Sequence, residues 1–252
     1  MKNIIYIYFF VFVTGLVAQT SNTDLFDLAN TQYKEGKYEA SIANYQKIVA
    51  QENVSSALFF NLANAYYKLN KVAQTIYYYE KALLLDPLNE DAANNLAFAK
   101  RMTIDRIEEL PKTFLQKLEV NYLQKLTYNQ WAMFAVVCSF LGAILFLLFY
   151  FSANSTKKRV YFITSVLSFF LLISSLFIAY HLSQKASTTK FAIIFATKVS
   201  VNNAPTTNAD EVFILHEGTK VSVLDAVDDW KKIKLADGKI GWISASNLKE
   251  LE

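Results

Sequence analysis

The sequence predicts a multi-domain membrane protein: all-α helical repeats, then a two-helix transmembrane hairpin, then a small all-β barrel. Three observations predict it. Near the N-terminus a segment repeats at a period of about 34 residues, with Leu28-Ala29-Asn30 returning as Leu62-Ala63-Asn64 and again as Leu96-Ala97-Phe98. Two long apolar runs, 131–151 and 160–182, are separated only by SANSTKKR. From residue 196 onward, short β-rich runs alternate with turn residues.

Composition narrows the function classes. Of the 252 residues, 53% are hydrophobic, which is high for a purely soluble chain and directs attention to membrane spans. The net charge of +3 leaves no electrostatic footprint for nucleic acid. Cys138 is the single cysteine, so neither an intramolecular disulfide nor a multi-cysteine zinc site is available. His181 and His216 are the only histidines, and they fall in different segments. No nucleophile, metal or phosphate-binding motif appears. The expectation is a protein that is not an enzyme, with no cofactor and no metal.

The N-terminus opens with Lys2 and an apolar stretch from Ile4 to Val13, the layout of a secretory signal ending near Ala18. Residues 1–18 are read as that signal peptide, with an uncleaved anchor as the alternative. Each later apolar run has the roughly 20 residues that a helix needs to cross a ~30 Å hydrocarbon core. Neither carries an ionisable residue before His181, at the end of the second. They read as transmembrane helices 131–151 and 160–182. Lys157, Lys158 and Arg159 place the loop 152–159 in the cytoplasm by the positive-inside rule. Both soluble parts then lie outside the cytoplasm.

The repeat also pairs Tyr33-Lys34 with Tyr67-Lys68 and Tyr45 with Tyr79, and Asp86-Pro87 closes its second copy. The small residues Ala29, Ala63 and Ala97 allow close helix approach, and proline ends a helix. This pattern resembles the tetratricopeptide repeat (TPR) over 22–102, divided into 22–55, 56–89 and a partial 90–102. Two departures stand out: Gln51-Glu52-Asn53 replaces the proline pair, and Asn70 replaces the turn glycine found at Gly36. Solenoids want about three repeats, so the amphipathic stretch 103–130 is expected to cap them or lie beside the membrane. The resemblance implies a concave face that binds protein segments. Its expected residues are Asn30, Tyr33, Lys34, Asn64, Tyr67, Lys68, Phe98 and Arg101, with Phe26, Phe60 and Asn94 beside them. The clamp by which chaperone-binding repeats hold a C-terminal carboxylate is not expected, because Phe26, Asp91 and Asn95 stand at its positions.

Toward the C-terminus, runs 219–224, 230–235 and 239–243 read as strands, with Asp237-Gly238 as a hairpin turn. Gly218 before a strand, Trp230 opening the next and Gly241-Trp242 near the end resemble a bacterial SH3 domain over 196–252. Trp242 is expected in the core and Trp230 at a recognition groove. The resemblance implies peptidoglycan or a structural role. The whole order, with FNLANAYYKLNK, YEKALLLDPLNEDAANNLAFAK and DGKIGWISASNL, resembles the BatE-type proteins of Bacteroidetes aerotolerance (Bat) operons. That resemblance implies a non-catalytic scaffold working with von Willebrand factor A membrane proteins and a MoxR-type ATPase system. The alternative is an anchor that binds the cell wall through the SH3-like domain.

Overall fold

A computed structural model describes residues 22–108 and 110–251. The signal sequence read at 1–18 lies outside the described residues. The chain divides into two compact units. One joins the helical repeats, up to 85 and 89–108, to the C-terminal residues 191–252; the other comprises 86–88 and 109–190.

In the first unit, helix α1 covers residues 22–34. It is followed by α2 (Tyr38–Ala50), α3 (Ser56–Lys68), α4 (Val72–Leu85) and α5 (Glu90–Ala99). Ser55 caps α3 by accepting from the Leu58 N–H, and Asn89 caps α5 by accepting from that of Ala92. Asn70 turns left-handed at φ +56°, as Gly36 does at +79°, so the substitution at the repeat turn keeps its conformation. Ala29 and Ala63 are completely buried between their helix pairs. Ala97, their counterpart, is exposed. The chain leaves α5 through a short 3-10 turn, Lys100–Met102.

The helix of the amphipathic stretch, α6 (Phe114–Asn121), belongs to the second unit and has no buried side chain. The helical core is extended by the C-terminal domain. Ile193 is fully buried in the same apolar cluster as Ile76, Tyr77 and Ala73, with Phe195 and Leu251 packed against it.

That domain is a seven-stranded sheet: β1 (Lys190–Ile194), β2 (Lys198–Asn202), β3 (Glu211–His216), β4 (Lys220–Val227), β5 (Trp230–Lys234), β6 (Ile240–Ser244) and β7 (Leu248–Glu250), in the order β3-β2-β6-β5-β4-β1-β7. Strand β1 precedes the boundary expected at 196. Both of its faces are covered: Ala192 and Ile194 join the sheet's core, while Ile193 joins the helices. An apolar run buried on both sides shows no alternation, which hid it in the sequence. Trp242 is not a core residue. Along β6, Gly241 and Ile243 are the buried positions, and Trp242 is half-exposed on the other face with the Lys232 ammonium 5.7 Å from its ring centroid. A Cβ on Gly241 would lie 2.4 Å from Val201 Cγ1 and 3.1 Å from the Asn202 carbonyl oxygen. Gly241→Ala is therefore expected to cost the sheet about 1–3 kcal/mol. A lowered denaturation midpoint in tryptophan fluorescence checks this; an unchanged one would mean Val201 turns aside freely.

In the second unit, α7 (Tyr128–Phe151) and α8 (Ser155–Thr188) form a hairpin. Thr127 caps α7 in a capping box with Gln130, and Asn154 caps α8, so the non-helical connection is shorter than the loop 152–159 expected from hydropathy. Only 11% of each helix's most apolar window is buried, which argues against two core helices of a soluble domain. The helices touch through small residues: Ser168 donates to the Cys138 carbonyl at 2.8 Å, beside Gly142.

Candidate functional site

The inner face of the repeats is built on a hydrogen-bonded ladder that itself repeats. Asn30 Oδ1 accepts from the Tyr45 hydroxyl and from Asn61 Nδ2. Asn64 Oδ1 accepts from the Tyr79 hydroxyl and from Asn95 Nδ2. Tyr45 and Tyr79 are each only 1% exposed, so their hydroxyls need these partners. Burial pushes both phenols above the ordinary tyrosine range, and the neighbouring amides offset this only in part. Phe26 packs on Tyr45 and Phe60 on Tyr79, with ring centroids 5.8 and 6.0 Å apart. Those two phenylalanines are therefore engaged between helices.

Tyr33, Asn64, Tyr67, Lys68 and Phe98 line one cavity of about 200 Å³, together with Tyr79 and Asn95. Five of the eight residues expected on the face are thus brought together. Asn30 is held in the lower rung of the ladder, Lys34 is exposed outside the cavity, and Arg101 stacks on Phe98 at 5.0 Å without lining it. Tyr79 and Asn95 were missed as lining residues. The signal for Asn95 was present, since Asn61-Leu62 returns as Asn95-Leu96.

The chemistry of the cavity is specific. With its oxygen taken by Tyr79 and Asn95, Asn64 has only amide N–H groups to offer. Lys68 adds a cation at the rim. Tyr67 and Phe98 present exposed rings, at 39% and 53%. Burial raises the Tyr33 phenol despite the nearby Lys68 charge, so it stays a neutral donor and acceptor. The cavity suits an extended segment that brings carbonyl oxygens and apolar side chains.

Tyr77, Tyr78 and Tyr79 point to different neighbours, as successive helical residues must. Tyr78 stacks on Tyr66, while Tyr77 meets Phe195 edge-on and the Lys249 ammonium. This side of α4 is where the C-terminal domain docks. Glu80, 7% exposed, pairs with Lys220 of β4 at 2.6 Å and Lys100 at 3.1 Å. Asp105 accepts from the His216 backbone N–H at 2.7 Å, from His216 Nδ1 at 2.8 Å and from the Thr219 hydroxyl at 2.6 Å.

Comparison with known families agrees with both parts. Residues 56–89 match the tetratricopeptide repeat, and residues 198–249 match the bacterial SH3 domain. No curated protein matches the chain. The chain thus contains a tetratricopeptide repeat and a bacterial SH3 domain, both typically non-catalytic, with two candidate membrane-spanning helices. Trp230, expected at an SH3 groove, opens β5 half-buried and pairs with Val227 and Ser244. Trp242, half-buried like Trp230, lies with Lys232 on the face of β6 opposite Gly241 and Ile243, not in its expected place in the core.

Proposed function

We propose that this protein is a non-catalytic scaffold of the bacterial inner membrane that holds a partner protein in the cavity of its periplasmic TPR helices. The observation that carries the reading is the cavity between Tyr33, Tyr67 and Phe98, floored by the spare amide of Asn64. The shared core of repeats and β-domain supports the topology. Two domains packed through Ile193 must lie on one side of the membrane, which a two-span hairpin between them allows. Residues 1–18 act as an export signal, and Lys157, Lys158 and Arg159 keep the hairpin's turn in the cytoplasm. The partner is a von Willebrand factor A membrane protein of a Bat aerotolerance complex served by a MoxR-type ATPase.

Photo-crosslinking from Tyr67 and Phe98 in native membranes tests this. Adducts to one membrane protein are expected, and they should disappear in Lys68→Glu. Asn64→Ala is a poor probe, because it strands the buried Tyr79 hydroxyl and is expected to cost about 1–3 kcal/mol of stability. The absence of any protein adduct would favour the second reading, a peptidoglycan anchor. That reading draws on the half-exposed Trp242 with Lys232 above it and on the bacterial SH3 match.

A further inference from the structure

We propose that α6 is an interfacial helix whose apolar face is seated in the headgroup layer of the bilayer that α7 and α8 span. The inference rests on the membrane reading of those two helices. Phe114, Leu115, Leu118 and Tyr122 fall within one arc of a helical wheel. They are 74%, 75%, 38% and 67% exposed, so nothing among the described residues covers this face. A monomeric soluble protein rarely leaves such a cluster in water.

The occupant follows from where α6 is fixed. Glu119, at the edge of the apolar arc, pairs with Lys185 at 2.6 Å and lies 3.8 Å from His181, in the last turns of α8, His181 at the end of its apolar run and Lys185 just beyond it. The Trp131 indole N–H, at the start of the apolar run of α7, donates to the Leu123 carbonyl at 2.9 Å, just after α6. The helix is thus tied to the same end of both spans. Tyr128, Trp131 and Tyr180 cluster at that end, the residue types that sit at a membrane–water boundary. α7 and α8 leave most of their own apolar surface uncovered, and lipid is the solvent that matches both that surface and the exposed face of α6. Lys117 and Lys125, both exposed, are positioned to meet lipid phosphates. The capping box of Thr113 with Gln116 starts the helix sharply, so the chain leaves the lipid surface at Thr113 rather than at Thr127.

The test uses the full chain in vesicles of phosphatidylethanolamine with a minority of phosphatidylglycerol. In a Cys138→Ser background, single cysteines at Leu115, Val120 and Phe140 carry an environment-sensitive fluorophore. The label at Leu115 should lose most of its emission to a nitroxide near the headgroup and little to aqueous nickel chelate. The label at Val120, on the opposite side of α6, should do the reverse. Phe140, exposed in the middle of α7, should respond to a nitroxide near the end of the acyl chain. If Phe140 responds but Leu115 and Val120 behave alike, or Leu115 is shielded from every quencher, the interfacial helix is overturned while the spans stand. If Phe140 also fails to respond, the membrane reading falls and this inference falls with it.

Discussion

Replacing Gly218 by alanine is expected to loosen the β-domain from the helical repeats by about 2–4 kcal/mol, the sum of left-handed backbone strain and overpacking. Gly218 has φ +85°, and a Cβ there would lie 2.9 Å from Thr103 Cγ2, 2.9 Å from Val72 Cγ1 and 3.0 Å from Ile76 Cδ1. Ile76 is fully buried among α4 neighbours and has little room to retreat. Gly36→Ala supplies the control. Its φ is +79°, but nothing lies within 4 Å of the added carbon, so it reports strain without crowding. Hydrogen exchange along α4 checks the difference. Gly218→Ala should expose the amides around Val72 to Tyr77, and Gly36→Ala should not. Equal protection in both variants would mean that the docked face tolerates a methyl group and is not closely packed.

The large-scale architecture was legible in the sequence because it is written in periods. The return of Leu28-Ala29-Asn30 at Leu62 gave the paired helices, and unbroken hydropathy gave α7 and α8. Turn chemistry gave the hairpin at Asp237-Gly238, where Gly238 adopts φ +94°. Three things were not legible. Strand β1 reads as featureless apolar sequence, because Ile193 and Ile194 are buried on opposite faces in two different cores. Trp242 reads as core by its size, but the alternation along β6 gives the inside to Gly241 and Ile243. The docking of the two domains rests on Asp105, Glu80 and Gly218, which lie far apart in the chain and belong to no motif; only folding brings them together. Within the cavity, the aromatic lining was visible from the repeat. The direction of the Asn64 amide was not, since it depends on which groups of Tyr79 and Asn95 reach it.

Asp105 carries the second large effect. Burial alone would raise its carboxyl, but the Thr219 hydroxyl, the His216 ring and the His216 backbone N–H outweigh it and hold Asp105 below its ordinary value of 3.8. A carboxylate only accepts, so Nδ1 of His216 carries the proton in this contact. Asp105→Ala leaves the His216 N–H and Thr219 hydroxyl without their acceptor and is expected to cost the docked unit about 2–3 kcal/mol at neutral pH. The sign of the pH dependence follows from the lowered carboxyl. Its contribution is complete above the unfolded value near 3.8 and disappears as pH falls through the lower folded value. Glu80 acts in the same direction: burial opposes its charge, yet Lys220 and Lys100 hold it below 4.5. Acid should therefore undock the β-domain before the repeats themselves unfold. The difference in midpoint between wild type and Asp105→Ala, large at pH 7, should shrink toward zero as the pH is lowered through this window. A difference that persists unchanged in acid would show that Asp105 contributes by shape and not by its charge.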